Sequence, residues 1–203
     1  GSYGFDGNDY VNILDNNVFD TGTGDFAISV WFKKSTIADG MIISKIAGSP
    51  TSNAGWQLLW NDMTIDGVQF IVTDGGSATH ADARYEGAFT DGQWHHAVAV
   101  YESSTAKVYV DGVLGGITDT DSENVDNNID IHIGSREVGV LNFEGELDEI
   151  HIFNRSLNIT EVSQLYWAGV ANGHSMNSSQ TTVGDNWTLG VRGLDSEDIG
   201  SEV

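Results

Sequence analysis

The stretch Phe26-Ala27-Ile28-Ser29-Val30-Trp31-Phe32-Lys33 decides the fold class. Phe26, Ile28, Val30 and Phe32 fall at every second position and share one face of an extended chain. Ala27, Ser29, Trp31 and Lys33 share the other. A helix would scatter that apolar set around its circumference. Working outward, residues 40–46, 56–61, 68–73 and 80–86 read as further strands. Residues 93–101, introduced by Asp91-Gly92, turn at Ser103-Ser104-Thr105 into residues 107–110. That second run stops at the tight-turn pair Asp111-Gly112, so the two form a hairpin. Residues 129–133 and 146–154 supply the last strands.

Many short strands at nearly regular spacing predict an all-β chain, a sandwich or barrel. One proline in 203 residues leaves the turns to Gly, Asn and Asp. One short helix is expected near the end, where Val162, Leu165 and Tyr166 fall at helical spacing. Thr160 is its expected N-cap and Gly169 its expected stop.

Composition narrows the partners. Eight basic residues stand against 30 acidic ones, for a net charge of −22. Nucleic acid is disfavoured, because phosphates need Lys and Arg to neutralise them, and an anionic membrane repels such a surface. Metal cations are its natural counterparts; a salt-rich habitat is a second source of such acidity. There is no cysteine, hence no disulfide and no thiol chemistry. No apolar run approaches the ~18 residues of a membrane span. The opening Gly1-Ser2-Tyr3, without Met or signal peptide, reads as an excised or processed piece.

Composition shifts after about Ala171. Residues 172–179 are small and polar, as in a linker, and 181–183 and 187–191 read as two strands across Gly184-Asp185-Asn186. The expected division is one domain over 1–171, then a linker and an incomplete second β module or docked hairpin over 172–203.

Five segments in order resemble one family. They are Tyr3-Gly4-Phe5-Asp6-Gly7-Asn8-Asp9-Tyr10-Val11, the Phe26 strand, Gly92-Gln93-Trp94-His95-His96-Ala97-Val98, Val108-Tyr109-Val110-Asp111-Gly112, and Phe143-Glu144-Gly145-Glu146-Leu147-Asp148-Glu149-Ile150-His151-Ile152-Phe153 with the turn to Leu157. Together they resemble the laminin-G-like jelly rolls of the concanavalin A-like lectin and glucanase superfamily. The resemblance implies two stacked antiparallel sheets with first and last strands adjacent, and Trp94 in the core. It implies a secreted or cell-surface module that binds extracellular glycan or surface protein, alongside other modules of one parent chain. A structural spacer in a large surface protein or filament is the alternative.

Related jelly rolls hold structural calcium where the first and last strands meet. Asp6 and Asp148 match those positions, with Asn8 and Asp9 beside them. Hard divalent ions want several carboxylate and carbonyl oxygens, so Ca2+ is the expected cofactor; the alternative is that these Asp side chains only bond turn backbone.

Catalysis is not expected. Glucanases of this architecture need Glu-x-Asp-x-Glu, whose alternate residues meet the sugar from one strand face. In Glu146-Leu147-Asp148-Glu149-Ile150 the last required position is Ile150. His95 and His96 are adjacent and face opposite sides of a strand, and His132 and His151 face outward, so no zinc spacing arises. For a sugar site the expected residues are Trp60 as stacking platform, Asn61 and Asp62 beside it, and His80, Arg84 and Tyr85 along the rim. Asn154, Asn158, Asn177 and Asn186 begin Asn-x-Ser/Thr acceptors for glycosylation.

Overall fold

The computed structural model describes residues 2–61, 66–76, 80–137 and 140–171. The strands are β1 (Tyr3–Asp6), β2 (Val11–Ile13), β3 (Phe26–Lys33), β4 (Gly40–Lys45), β5 (Ala54–Asn61), β6 (Gly67–Asp74) and β7 (Ala81–Glu86). They continue as β8 (Trp94–Glu102), β9 (Thr105–Val110), β10 (Val113–Leu114), β11 (Asp119–Thr120), β12 (Ile131–Ile133) and β13 (Glu144–Phe153), followed by helix α1 (Ile159–Ala171). The first sheet runs β1-β13-β3-β8-β9-β10, with β11 also on β9; the second runs β2-β12-β4-β5-β6-β7. All named pairs are antiparallel, and β1 lies beside β13. This is the two-sheet sandwich that the period-2 runs predict.

The main core lies between the sheets. Phe26, Ile28, Val30 and Phe32 of β3 meet Trp56, Leu58 and Trp60 of β5 and Val68, Phe70 and Val72 of β6. From β8 this core takes the small Ala97 and Ala99 and the large Tyr101. The larger valines of β8 point the other way. Val98 and Val100, with Ala27 and Tyr109, form a second core against Leu157 and Val162. The first sheet is therefore apolar on both faces, with the second sheet on one side and α1 on the other.

Helix α1 is seated by three devices. Asn158 Oδ1 accepts from the backbone N–H groups of Thr160 and Glu161, while Glu161 Oε2 accepts from Asn158 N–H. That reciprocal capping box makes Asn158 the N-cap in place of Thr160. Gly169 does not end the helix, which continues to Ala171. A Cβ on Gly169 would stand 2.2 Å from Trp31 Nε1, so glycine lets the helix backbone close onto the indole. Trp31 stacks on Tyr166 at 5.8 Å and on His96 at 5.1 Å.

A bulge in β13 sets the phase of the closing strand. The register with β3 shifts between Asp148 and His151, and Glu149 takes φ +47°. Leu147 is buried in the main core before the shift, and Ile150 and Ile152 pack against the same core after it. Without the extra residue the last two would face outward.

Trp94 does not join the core. It faces the α1 side of β8, half-exposed, with Lys33 Nζ 6.0 Å from its ring. Its neighbours are the buried ones: His95 and His96 are each 1% exposed. His95 enters the end of the main core between Phe32 and Phe89, where Asp111 and Asp91 hold its two ring nitrogens at 2.8 and 3.2 Å. Burial disfavours its imidazolium, but the hydrogen bonds and charges of Asp111 and Asp91 outweigh that, and its pKa lies above the ordinary histidine value.

Candidate functional site

The residues expected at the first-to-last strand junction do not share one ion's shell. Asp6 is in register with Glu144, and Tyr3 with Leu147. Asp148 therefore lies four positions along β13 from Asp6's partner, about 13 Å at a strand's rise per residue. The bulge turns Asp148 to cap the Glu149 N–H at 2.9 Å. Asp6 Oδ1 accepts from Asn8 N–H, and Asp9 Oδ2 accepts from Asp6 N–H. These are the backbone-capping roles of a turn. Among the described residues no group of three or more His, Asp or Glu side chains is arranged to hold a metal ion.

The carboxylates of β13 are spoken for as well. Glu146 bonds Lys33 Nζ and Ser2 Oγ, each at 2.8 Å, and those contacts hold its carboxyl below the usual range. A general acid for glycoside cleavage needs the opposite shift.

The outer face of the second sheet is different. One cross-strand row carries His132 of β12, Ser44 of β4, Gln57 of β5, Ile71 of β6 and Asp82 of β7, each opposite the next. The adjoining row carries Leu59, Gln69 and Arg84. Alternation explains the set: Trp56, Leu58 and Trp60 turn inward, so Gln57, Leu59 and Asn61 must turn outward.

A polar chain links these strands. Asn61 Nδ2 donates to Gln69 Oε1 at 2.9 Å, and Gln69 Nε2 donates to both Asp82 oxygens at 2.9 and 3.0 Å. Arg84 donates to the same carboxylate through Nε at 3.1 Å and Nη2 at 2.6 Å, with His80 Nε2 4.0 Å away. At the other end Ser44 Oγ donates to the carbonyl oxygens of Ser135 and Arg136, at 3.1 and 3.4 Å. The row is sunk, with Gln57 only 3% exposed, and it opens at its margin, where the Arg84 side chain is 35% exposed.

Five buried side-chain atoms on and beside this row have no hydrogen-bond partner: Gln57 Oε1, His132 Nδ1, Ser135 Oγ, Arg136 Nε and His80 Nδ1. A buried polar atom left unpaired costs about 1–3 kcal/mol. The set mixes an obligate acceptor (Gln57 Oε1), an obligate donor (Arg136 Nε) and groups able to do either.

Of the expected sugar-site residues, Asn61, His80 and Arg84 are brought together here. Trp60 is not a platform: it is fully buried in the main core, and its indole donates to the Ile37 carbonyl at 3.2 Å. Tyr85 lies opposite Val68 and packs inward against the core. Asp62 lies outside the described residues. Sequence reading missed Gln57, Gln69, Asp82 and His132; the parity of Trp56 and Trp60 was the signal that could have found the first two. Of the acceptor asparagines, Asn154 and Asn158 are exposed, while Asn177 and Asn186 lie outside the described residues, as does the segment 172–203.

A second concavity, of about 330 Å³, opens at one end of the sandwich. Val18, Phe19, Phe26, Trp56, Phe153 and Asn154 line it, so its walls are mainly apolar.

The sequence pattern of a laminin G-type family, described as the concanavalin A-like lectin/glucanases superfamily, matches residues 5–163. Adhesion G-protein coupled receptor V1 of Danio rerio is 29% identical over 144 residues, 70% of this chain and 2% of that protein. The binding domain of Paraclostridial mosquitocidal protein 1 superposes with a TM-score of 0.67 at 16% identity, covering 83% of this chain and 43% of that one. Domain 4 of AbnA, a GH43 extracellular arabinanase from Geobacillus stearothermophilus solved in complex with arabinotriose, gives 0.65 at 21% identity, covering 81% and 76%. At these identities the two solved structures share the fold.

Proposed function

The chain belongs to the concanavalin A-like lectin/glucanases superfamily, and from that premise we propose that it is a non-catalytic, extracellular binding and adhesion module that recognises glycan on the outer face of its second sheet. The observation that carries this reading is the row through His132, Ser44, Gln57 and Asp82, with its unpaired buried acceptor and donors. A phosphate or sulfate only accepts hydrogen bonds and would leave Gln57 Oε1 unmet. A sugar hydroxyl both donates and accepts, so vicinal hydroxyls match a mixed set. The Asn61–Gln69–Asp82–Arg84 chain fixes the rotamers around it, so little side-chain entropy remains to be lost on binding. The arabinotriose complex of the AbnA domain places an oligosaccharide on a chain of the same fold. The adhesion receptor relative supports a secreted or cell-surface setting, among other modules of a longer chain.

The test is a glycan array followed by calorimetry. Wild type should bind a defined oligosaccharide class, and Gln69→Leu or Arg84→Met should weaken it by about tenfold, one hydrogen bond's worth of ~1.4 kcal/mol. Their melting temperatures should stay close to wild type. Binding that both variants leave intact places the ligand elsewhere, and no binding to any glycan ends the reading.

A further inference from the structure

The chain has four lysines, and two of them, Lys34 and Lys45, are buried, at 1% and 0% exposure. In a protein of net charge −22, scarce cations have been placed inside. Lys45 leaves β4 and ends in a cage made only of oxygen. Asp15 Oδ1 lies at 2.8 Å, the Asn127 carbonyl at 2.9 Å, Asn127 Oδ1 at 3.0 Å and Asp20 Oδ1 at 3.1 Å from Nζ. An ammonium has three protons. Asp15 and the two Asn127 oxygens accept them. Asp20 Oδ1 is left buried without a hydrogen bond, held beside Nζ by charge. The shell thus supplies one oxygen more than an ammonium can bond. Two carboxylates, a carbonyl and an amide oxygen are the donor set of a hard divalent cation, which has no such limit.

We propose that the Lys45 ammonium is a tethered stand-in for a divalent cation, and that this oxygen cage binds calcium once the ammonium is removed. The cage joins three segments. Asp15 and Asp20 flank the short turn Asn17–Phe19, Lys45 comes from β4, and Asn127 comes from the loop before β12. Asn127 is itself fixed, its Nδ2 reaching the carbonyls of Lys45 and Ala54 and its Oδ1 accepting from Ile129 N–H. The segment so pinned supplies Val18 and Phe19 to the wall of the 330 Å³ concavity. With its cation carried on the chain, that end of the module keeps its shape whatever the calcium level outside.

The experiment compares wild type with Lys45→Ala and with Lys45→Ala/Asp15→Asn, each melted in chelator, in calcium and in methylammonium, with calcium binding counted by calorimetry. Calcium is used at about 10 mM, above the roughly 10⁻⁴–10⁻³ M range of extracellular sites. Wild-type melting should be the same in chelator and calcium. Lys45→Ala should melt lower in chelator, recover more than half of the loss in calcium, and bind one more calcium per chain than wild type. Methylammonium should recover part of it, and the double variant should recover nothing in calcium. If Lys45→Ala folds only when calcium is added, the proposal stands in a stronger form. If Lys45→Ala gains no calcium site and no calcium-dependent melting, or fails to fold with and without calcium, the proposal is overturned.

Discussion

The outer faces of the two sheets have had opposite treatment. The first sheet's outer face presents Ala27, Val98, Val100 and Tyr109, and the chain covers it with its own helix through Leu157 and Val162. The second sheet's outer face presents Ser44, Gln57, Gln69, Asp82 and His132, with hydrogen-bonding capacity left over. The histidines repeat the contrast. On the first sheet His95 is held by two carboxylates and His96 Nε2 by Ser29 Oγ at 2.8 Å. On the second, His132 Nδ1 and His80 Nδ1 are buried and unmet. A face that is satisfied internally contributes stability, and a face that is not is available to a partner. The two should therefore respond differently to mutation.

The largest effect belongs to the covered face. Trp31→Ala removes the indole that stacks on Tyr166 and His96 and fills the space left by Gly169. A buried tryptophan lost in this way costs about 3–5 kcal/mol. Gly169→Leu should break the same contact from the helix side, at about 1–3 kcal/mol of overpacking. Urea denaturation measures both, and glycan affinity of the folded fraction should not change. If Trp31→Ala is neutral in stability but loses glycan, the roles of the two faces are reversed.

This contrast was only half legible in the sequence. The strands were plain, because period-2 alternation in β3, β5 and β6 survives any context. Which face of β8 is the main core was not. His95, Ala97 and Ala99 go inward and His96, Val98 and Val100 go to the helix, so the larger apolar set marks the secondary core. A strand buried on both faces carries no alternation to read, and Trp94 was misplaced for that reason. The Asp6–Asp148 pairing failed on register: one residue at φ +47°, Glu149, moves everything beyond it, and nothing about a glutamate announces a left-handed position. The helix cap moved by two residues because Asn158 and Glu161 form the box that Thr160 alone cannot. The site was legible at its ends, Asn61 and Arg84, and hidden in the middle, since Gln57 and Gln69 are ordinary strand residues until the parity of Trp56 and Trp60 is fixed.

The next effect belongs to the open face and has the opposite sign. Gln57→Leu replaces an unpaired buried acceptor by an apolar group of similar size. Removing such a group is neutral or stabilising, here by about 1 kcal/mol. The same change should abolish glycan binding, since it removes the acceptor at the centre of the row. Stability that rises while affinity falls is what a partner-facing row predicts. A loss of more than about 1 kcal/mol would mean that Gln57 is satisfied in the free protein, and the two faces would then be alike.

The smallest effect is the pH response of the clamp on the first sheet. Asp111 Oδ2 holds the His95 ring and its Oδ1 accepts from His96 N–H at 2.9 Å, so one carboxylate braces residues that point to the two cores. Burial lowers the His95 pKa and the two aspartates raise it further, for a net upward shift. Because the folded value is raised, the stability it contributes is fully present below the unfolded pKa of about 6.5. It is lost as pH rises through the folded value. Lys34 works with the opposite sign: burial pushes its ammonium down against Glu144 and Asp39, so its share of stability grows as pH rises toward the lysine range. The clean window therefore opens at about pH 6.5 and closes before lysines titrate. Denaturation midpoints of wild type should fall with pH across that window, and His95→Gln, which carries no charge, should be flat there. On the second sheet, His132→Gln should leave the wild-type slope in place, because no carboxylate is hydrogen-bonded to that ring among the described residues. Equal slopes for wild type and His95→Gln would show that the imidazolium is not what the two aspartates hold, and the clamp would be a neutral hydrogen-bond brace.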